Sequence, residues 1–503
     1  MAHRPHTAGV VSTEHIDVLI VGAGLSGIGA AHHLQDRLPH KTYAIVEARD
    51  TIGGTWDLFR YPGVRSDSDM QTLGYRFRPW TEAKAIADGD SILRYVRETA
   101  VALGIDRHIR FGRRVVAAAW SSAQQRWSVE ARTEDGATEH WSCAFLYLCS
   151  GYYRYDHGYT PALPGLQTFA GPVVHPQAWP ADLDVAGRNV VVVGSGATAV
   201  TLVPALAERG AHVTMLQRSP TWMISLPGTD SLADALRRRL PARLGHAAAR
   251  WKNILFTQAF FQVCRHAPSV GKRMLRAGLA RVLPDPAAVD TDFAPTYDPW
   301  DQRLCVVPDA DFFRAMKSGA AEVVTDRIAT VTPTGVMCSS GRELPADVLV
   351  TATGLVLQAW GGIAVTVDGA PVEPGETLAY RGCLVSGVPN FAFCVGYVNA
   401  SWTLRADLVA RYVTRLLAHM DARGYAVATP RPPRDMPTRP LLDLSSGYIQ
   451  RSLTALPHQG TRSPWALRQN YLRDRYDMDR GDIARDMEFT VGVPAAVSAP
   501  ARP

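Results

Sequence analysis

The chain has 503 residues, 53 Lys and Arg against 47 Asp and Glu, a formal charge of +6 and seven cysteines. At roughly 150 residues per domain this length implies about three structural units, and the half-apolar composition excludes disorder and collagen-like repeats. So small a net charge for the size excludes a protein that coats nucleic acid.

The first fourteen residues hold no apolar run of secretory type, and no stretch approaches the roughly 18 to 20 apolar residues of a spanning helix. A cytoplasmic protein is expected. The segment Ile16 to Val21, IDVLIV, is short, β-branched and followed by glycine, which predicts a buried parallel strand. It runs into GAGLSGIGAAHHL, where Gly22, Gly24 and Gly27 have the spacing G-x-G-x-x-G at a strand-to-helix turn. A second apolar strand, Tyr43 to Val46, ends in Glu47, at the βαβ distance for an acid that holds an adenosine ribose. Next comes IGGTWDLFRYPGVRSDSD, Ile52 to Asp69, too irregular for core. In it Gly53 and Gly54 permit a turn close to a flat ring system, with Thr55 beside them and Trp56 able to cover it.

A second unit of the same kind opens at Asn189 to Val193, NVVVV. Gly194, Ser195, Gly196, Ala197 and Thr198 form its loop, and Ala199 completes G-x-G-x-x-A. The strand His212 to Leu216 then ends in Gln217, Arg218 and Ser219, so an arginine replaces the acid. In both loops glycine lets the backbone turn tightly and approach a pyrophosphate, to which the helix N-terminus offers unpaired N–H groups. Glu47 can accept two ribose hydroxyls and suits an adenosine without a 2′-phosphate, whereas Arg218 supplies a cation for that phosphate. The first nucleotide therefore reads as FAD and the second as NADPH.

From Ser231 to Leu283 the text turns helical and Arg-rich, an insertion between nucleotide-binding elements. Arg237, Arg238, Arg239, Arg243, Arg250 and Lys252, near Trp251 and Phe256, offer a weak peripheral contact with an anionic membrane; a solvated helix face is the plainer reading. DVLVTATG, Asp347 to Gly354, returns to a strand ending in glycine, and Ala406 to Met420 has the period of an amphipathic helix. The seven cysteines are scattered, none in a C-x-x-C pair, and read as core thiols; no metal site is expected. The fold class is α/β, two Rossmann-like dinucleotide-binding domains with a helical insertion. The expected boundaries are a flexible start at 1–14, an FAD-binding domain in two parts (15–160 and 358–490) and an NADPH-binding domain in two parts (161–224 and 304–357). The helical insertion takes 225–303 and a flexible tail 491–503.

Between the two loops the chain reads FAGPVVHPQAWP, which places Phe169, Gly171, His175, Trp179 and Pro180 as F-x-G-x-x-x-H-x-x-x-W-P. This resembles the fingerprint of type I Baeyer–Villiger monooxygenases. RYPGVRSDSDMQTLGYRFRPW, YDPWDQRLCVVPDADFF and GVPNFAFCVGYVNASWTL extend the likeness over roughly residues 14 to 430, toward the subgroup that includes the ethionamide-activating monooxygenase. The resemblance implies an enzyme that uses FAD, NADPH and O2 to insert one oxygen beside a ketone carbonyl, giving an ester or lactone through a C4a-peroxyflavin. It implies that Arg303 is the catalytic cation and that Asp67 orients its guanidinium by a charge-assisted hydrogen bond, beside the flavin. It further gives the fingerprint residues a hinge role, and residues around Trp402 are expected to shape substrate access. Many family members carry a lysine before the arginine; here it is Gln302, which leaves 2′-phosphate recognition mainly to Arg218. Oxygenation of a sulfide or amine by the same flavin remains open, as does a non-catalytic redox-sensing binding protein. The oligomeric state is not readable.

Overall fold

The computed structural model describes residues 14–492; most of the expected flexible start and tail lies outside the described residues. Two residues of those segments belong to strands instead. Glu14 opens the strand Glu14–Val21, and Val491 ends the strand Met487–Val491, which pairs antiparallel with Tyr425–Pro430.

Glu14–Val21 lies between two parallel neighbours, Tyr43–Val46 and Thr138–Leu148, and Val21 is level with both Val46 and Leu148. All three strands thus release their chains at one edge, the carboxyl edge, where open α/β sheets bind ligands. The strand is apolar on both faces because both faces are covered: Val18 and Ile20 join the core holding Ile28 and Leu34, while Leu19 and Val21 join that of Trp127 and Phe391. The sheet is extended by the antiparallel strands Arg113–Ser121 and Arg126–Thr133. A late strand, Phe391–Phe393, adds parallel to Thr138–Leu148.

The second sheet is parallel throughout, in the order Ala321–Thr325, His212–Gln217, Asn189–Val193, Val348–Thr351, Val173–Val174. Its central strand alternates between two cores, Val190 and Val192 on one side, Val191 and Val193 on the other. The strand expected to reach Gly354 stops at Thr351, and Gly354 sits at φ +114°.

Met223–Leu226 pairs in parallel with Cys305–Pro308, so the helical excursion starts after Leu226. It contains helices Ser231–Arg239, Ala242–His266 and Pro268–Val282. The longest is tied to the first unit: Arg250 donates to the carbonyls of Gln71 and Gly74 at 2.8 and 2.7 Å, and Asn253 to Asp69 at 2.9 Å. The helix expected over Ala406–Met420 runs from Trp402 to Arg423 and ends at Gly424, φ +68°. It is joined to the first helix, Leu25–Arg37, by His33 and Asp407, 2.8 Å apart and both buried. All seven cysteines are buried, and among the described residues no helix is long and apolar enough to cross a membrane.

Candidate functional site

The first glycine loop is shaped by its neighbours. Gly22 has φ +106°, and a Cβ at Gly27 would lie 1.9 Å from the Gly22 carbonyl oxygen. At Gly24 the nearest atom to such a Cβ would be Gly54 Cα, 3.5 Å away, an ordinary contact. Packing therefore demands glycine at 22 and 27 but not at 24, which lines the cleft. The helix that follows has neither a capping side chain nor an acid in its first turn, leaving its N–H groups and positive end for an anion.

Glu47 is buried at the end of the second strand, its carboxylate accepting from the amides of Ala23 at 2.7 Å and Arg49 at 2.9 Å. Burial raises its pKa, and these amides oppose the rise. The Ala48 amide adds to these contacts, and a carboxylate with about four acceptor positions can still accept from a hydroxyl. A cleft passes Gly22, Gly24, Glu47, Gly54, Thr55 and Trp56. Gly54, at φ +57°, precedes the short helix Thr55–Leu58.

At the far end the same cleft is lined by Arg303, Tyr152, Tyr153 and Trp402. Arg303 Nη2 donates to the Tyr152 hydroxyl at 2.8 Å, and its buried Nε has no hydrogen-bond partner among the described residues. Tyr152 stacks on Trp402 with ring centroids 5.1 Å apart and planes 6° from parallel, and the Trp402 indole N–H donates to Ser26 Oγ at 2.8 Å. Trp402 is therefore an anchored wall of the cleft. The phenolic oxygens of Tyr152 and Tyr448 push the Arg303 pKa up, so the guanidinium is a permanent cation.

The expected hydrogen bond between Asp67 and Arg303 is not made: among the described residues no ion pair joins them within 4.0 Å. The reason lies in the loop that carries Asp67. Ser66 donates its amide to Ala87, Met70 to Ala85, and Arg65 pairs with Asp311 in the second unit, so the loop is pinned away from the guanidinium. Asp67 keeps a solvent-accessible face, yet enough protein surrounds it that burial raises its pKa, against the opposing charges of Arg303 and Arg65. The two side chains feel each other electrostatically without touching.

In the second loop Gly194 has φ +134°, and Ser195 Oγ donates to the Ser219 carbonyl at 3.0 Å, holding the loop to the end of the next strand. Helix Ala197–Glu208 also begins without a capping side chain or an acid. A Cβ at Gly196 would meet nothing within 4 Å. Arg218 is exposed and has no hydrogen-bond or ion-pair partner among the described residues. Thr198 hydrogen-bonds Tyr61 of the first unit, and a Cβ on Gly63 would come within 3.0 Å of the Thr201 carbonyl. The loop after Trp56 therefore lies directly on the helix Ala197–Glu208 of the second unit.

The fingerprint wraps the edge of the second sheet. Phe169 packs on one of its cores and Trp179 on the other, with strand Val173–Val174 between. A Cβ on Gly171 would lie 2.3 Å from the Asp347 carbonyl oxygen, whereas Pro180 is exposed. His175 Nδ1 accepts from the Gln177 amide and its Nε2 donates to the Gly354 carbonyl, both at 3.2 Å. Gln177 donates to the carbonyls of Arg154 and Tyr155. His175 and its neighbour thus clamp both segments that cross between the sheets, and burial keeps the imidazole pKa low.

Tyr152, Tyr153, Ser26 and Tyr448 were not signalled as site residues by spacing. The first two had a trace: LYLCSGYY is, like VLVTATG, an apolar strand running out into glycine. Ser26 hides in the loop motif, and Tyr448 carries no local signal.

Two sheets, each releasing a glycine loop at the carboxyl edge of its parallel strands, with a cleft that runs from the first loop to a fixed arginine, define a two-dinucleotide oxidoreductase fold. The profile of the family described as flavin-binding monooxygenase-like matches residues 16–231. The FAD-containing monooxygenase EthA of Mycobacterium tuberculosis is 55% identical over 473 residues, covering 94% of this chain and 96% of that one. The putative FAD-containing monooxygenase MymA of the same species is 49% identical, over 92% and 94%. The chain belongs to this family of flavin monooxygenases. Its fold is also that of solved structures at low identity: oxidized steroid monooxygenase bound to NADP superposes with a TM-score of 0.73 at 22% identity, over 95% of this chain and all of that one. Cyclohexanone monooxygenase in its open form gives 0.73 at 20%.

Proposed function

We propose that the protein is an FAD- and NADPH-dependent Baeyer–Villiger monooxygenase of the cytoplasm, converting a ketone into an ester or lactone. The observation that carries this reading is Arg303, a permanent cation at the end of the first cleft with one buried N–H unpartnered. The residues fit the two nucleotides. Gly24 and Gly196 are not required by packing, and a Cβ at either would stand in the space a pyrophosphate needs. FAD, once reduced by NADPH, supplies the activation of O2 and the transfer of one oxygen atom.

The chain's own residues do the rest. Glu47 accepts the ribose hydroxyls of FAD; the two uncapped helix N-termini hold the pyrophosphates; Arg218 and Ser219 face the 2′-phosphate of NADPH. Arg303 stabilises negative charge that develops on oxygen during transfer, and Tyr152 fixes its plane so that no reorganisation is needed at that moment. Asp67 tempers the field of Arg303 through space. The fingerprint, through His175 and Gln177, keeps the two cofactor units in step.

The test supplies NADPH and isotopically labelled O2 with linear and cyclic ketones and one thioether. An ester or lactone carrying one labelled oxygen is expected. Sulfoxide alone would assign the enzyme to heteroatom oxygenation, and hydrogen peroxide alone would remove the oxygenase reading. For the second site, Arg218→Ala is expected to raise the KM for NADPH by roughly 10- to 100-fold, the worth of a charge-assisted contact of about 1.5–3 kcal/mol. Its KM for NADH should stay unchanged. Equal losses with both nucleotides would show that Arg218 does not meet the phosphate.

A further inference from the structure

The helical excursion is built asymmetrically. Residues 231–283 carry eleven Lys and Arg and one acidic residue, Asp234, in a chain whose total charge is only +6. Eight of the thirteen exposed large apolar residues of the described chain also lie there. On the long helix, Leu255, Phe256 and Val263 are exposed within just over two turns, with Leu244 further back; on the next, Val270 and Met274 stand one turn apart. Gly271 lies against Cys264, so the two helices pack closely and their exposed stripes are borne by one hairpin.

Many of its cations are already used, Lys252 by Asp230, Arg265 by Asp301, Lys272 by Asp298 and Arg276 by Asp290. Five are not. Arg238, Arg239, Arg243, Arg273 and Arg281 are exposed and have no hydrogen-bond or ion-pair partner among the described residues. Apolar side chains at 37 to 61% exposure and free arginines thus share one helical segment, two of the arginines on the helix Ser231–Arg239 that precedes the hairpin, a composition suited to a lipid interface.

We infer that this hairpin docks the enzyme on the surface of an anionic lipid bilayer, Phe256 and Met274 entering the acyl boundary while the five free arginines meet headgroup phosphates. A second copy of the chain is the poorer occupant. A two-fold contact would set this basic face against its own image and oppose the unpaired arginines to one another. The hairpin's inner face packs through Phe260 and Leu275 on Trp222 and Leu304, the residue next to Arg303, so docking brings the bilayer to the wall of the reaction cleft. An apolar substrate dissolved in lipid would then have a short path inward.

The experiment is co-sedimentation of the full chain with vesicles of phosphatidylcholine alone or with phosphatidylglycerol. Two variants accompany the native protein, Arg238→Glu/Arg239→Glu/Arg243→Glu and Phe256→Ser/Met274→Ser, each checked for an unchanged melting temperature. The native protein is expected to sediment with the anionic vesicles only, and to be released between about 0.1 and 1 M salt as the Debye length falls from about 10 to about 3 Å. Charge reversal should weaken partition by at least roughly 100-fold, and the serine variant should bind weakly at any salt. Absence of sedimentation with anionic vesicles overturns the inference, as does binding that neither variant alters. So does a dimer in light scattering that the serine variant splits. The readout is independent of oxygenation, so it stands or falls apart from the reading of the active site.

Discussion

Arg303→Ala is expected to lower the rate of ketone oxygenation by about 10²–10³-fold or more, the cost of removing one preorganised stabiliser of a developing oxyanion. The protein should keep its flavin and go on oxidising NADPH, because Glu47, the first glycine loop and Arg218 lie elsewhere in the clefts. Consumption of NADPH would then yield hydrogen peroxide in place of ester. A companion variant separates the cation from its orientation. Tyr152→Phe removes only the hydroxyl that accepts from Arg303 at 2.8 Å, so a loss nearer tenfold is expected, in kcat rather than KM. Product yields from Arg303→Ala equal to those of the native enzyme would end the assignment; equal yields from Tyr152→Phe would end only the role given to the tyrosine.

Gly27→Ala is expected to give a colourless, destabilised protein. The added methyl would stand 1.9 Å from the Gly22 carbonyl oxygen, a backbone atom that no rotamer change can move. The helix Leu25–Arg37 must then retreat from the strand, giving up both its packing and the approach of its N-terminus to the pyrophosphate. A cost at the upper end of the roughly 1–3 kcal/mol typical of overpacking, or above it, is expected, and the flavin absorbance of the purified protein reads it directly. Gly196→Ala is the contrasting case. Its φ is −76° and nothing lies within 4 Å of the new methyl, so the melting temperature should hold while NADPH affinity falls. Gly27→Ala with native flavin content would mean that helix and strand are not locked at this contact.

The nucleotide folds are legible in the sequence because their signals are local. Strand, glycine spacing, helix and terminal acid or arginine fall within some thirty residues, and the strands at Tyr43–Val46 and Asn189–Val193 have the predicted bounds. The reaction end of the cleft is legible only in part. Resemblance brings Arg303 to the place where Gly54, Trp56 and Trp402 also arrive, but which group holds it depends on the path of a loop. Asp67 is two residues from Arg65, whose pairing with Asp311 fixes the loop from the opposite side; no spacing encodes that. The partner found instead, Tyr152, is 151 positions from the arginine it binds. The fingerprint lies between these cases. Its five residue types are conspicuous, whereas the clamp they form needs Gly354, Arg154 and Tyr155, which carry no motif of their own.

The order of strands in the first sheet bears on how the molecule emerges from the ribosome. Glu14–Val21 is made before every other described strand, but its neighbour Thr138–Leu148 gains its other parallel partner only when Phe391–Phe393 appears. The helix that covers Leu25–Arg37 begins later still, at Trp402. All strands of the second sheet, by contrast, lie between Val173 and Thr351. During synthesis at about 5–20 residues per second, the second unit can close while the first still waits, its apolar faces open, for a segment some tens of seconds behind its own early strands. The first unit is therefore where nascent chains are most in need of a chaperone, and mutations that slow its closure should lower yield before they lower activity.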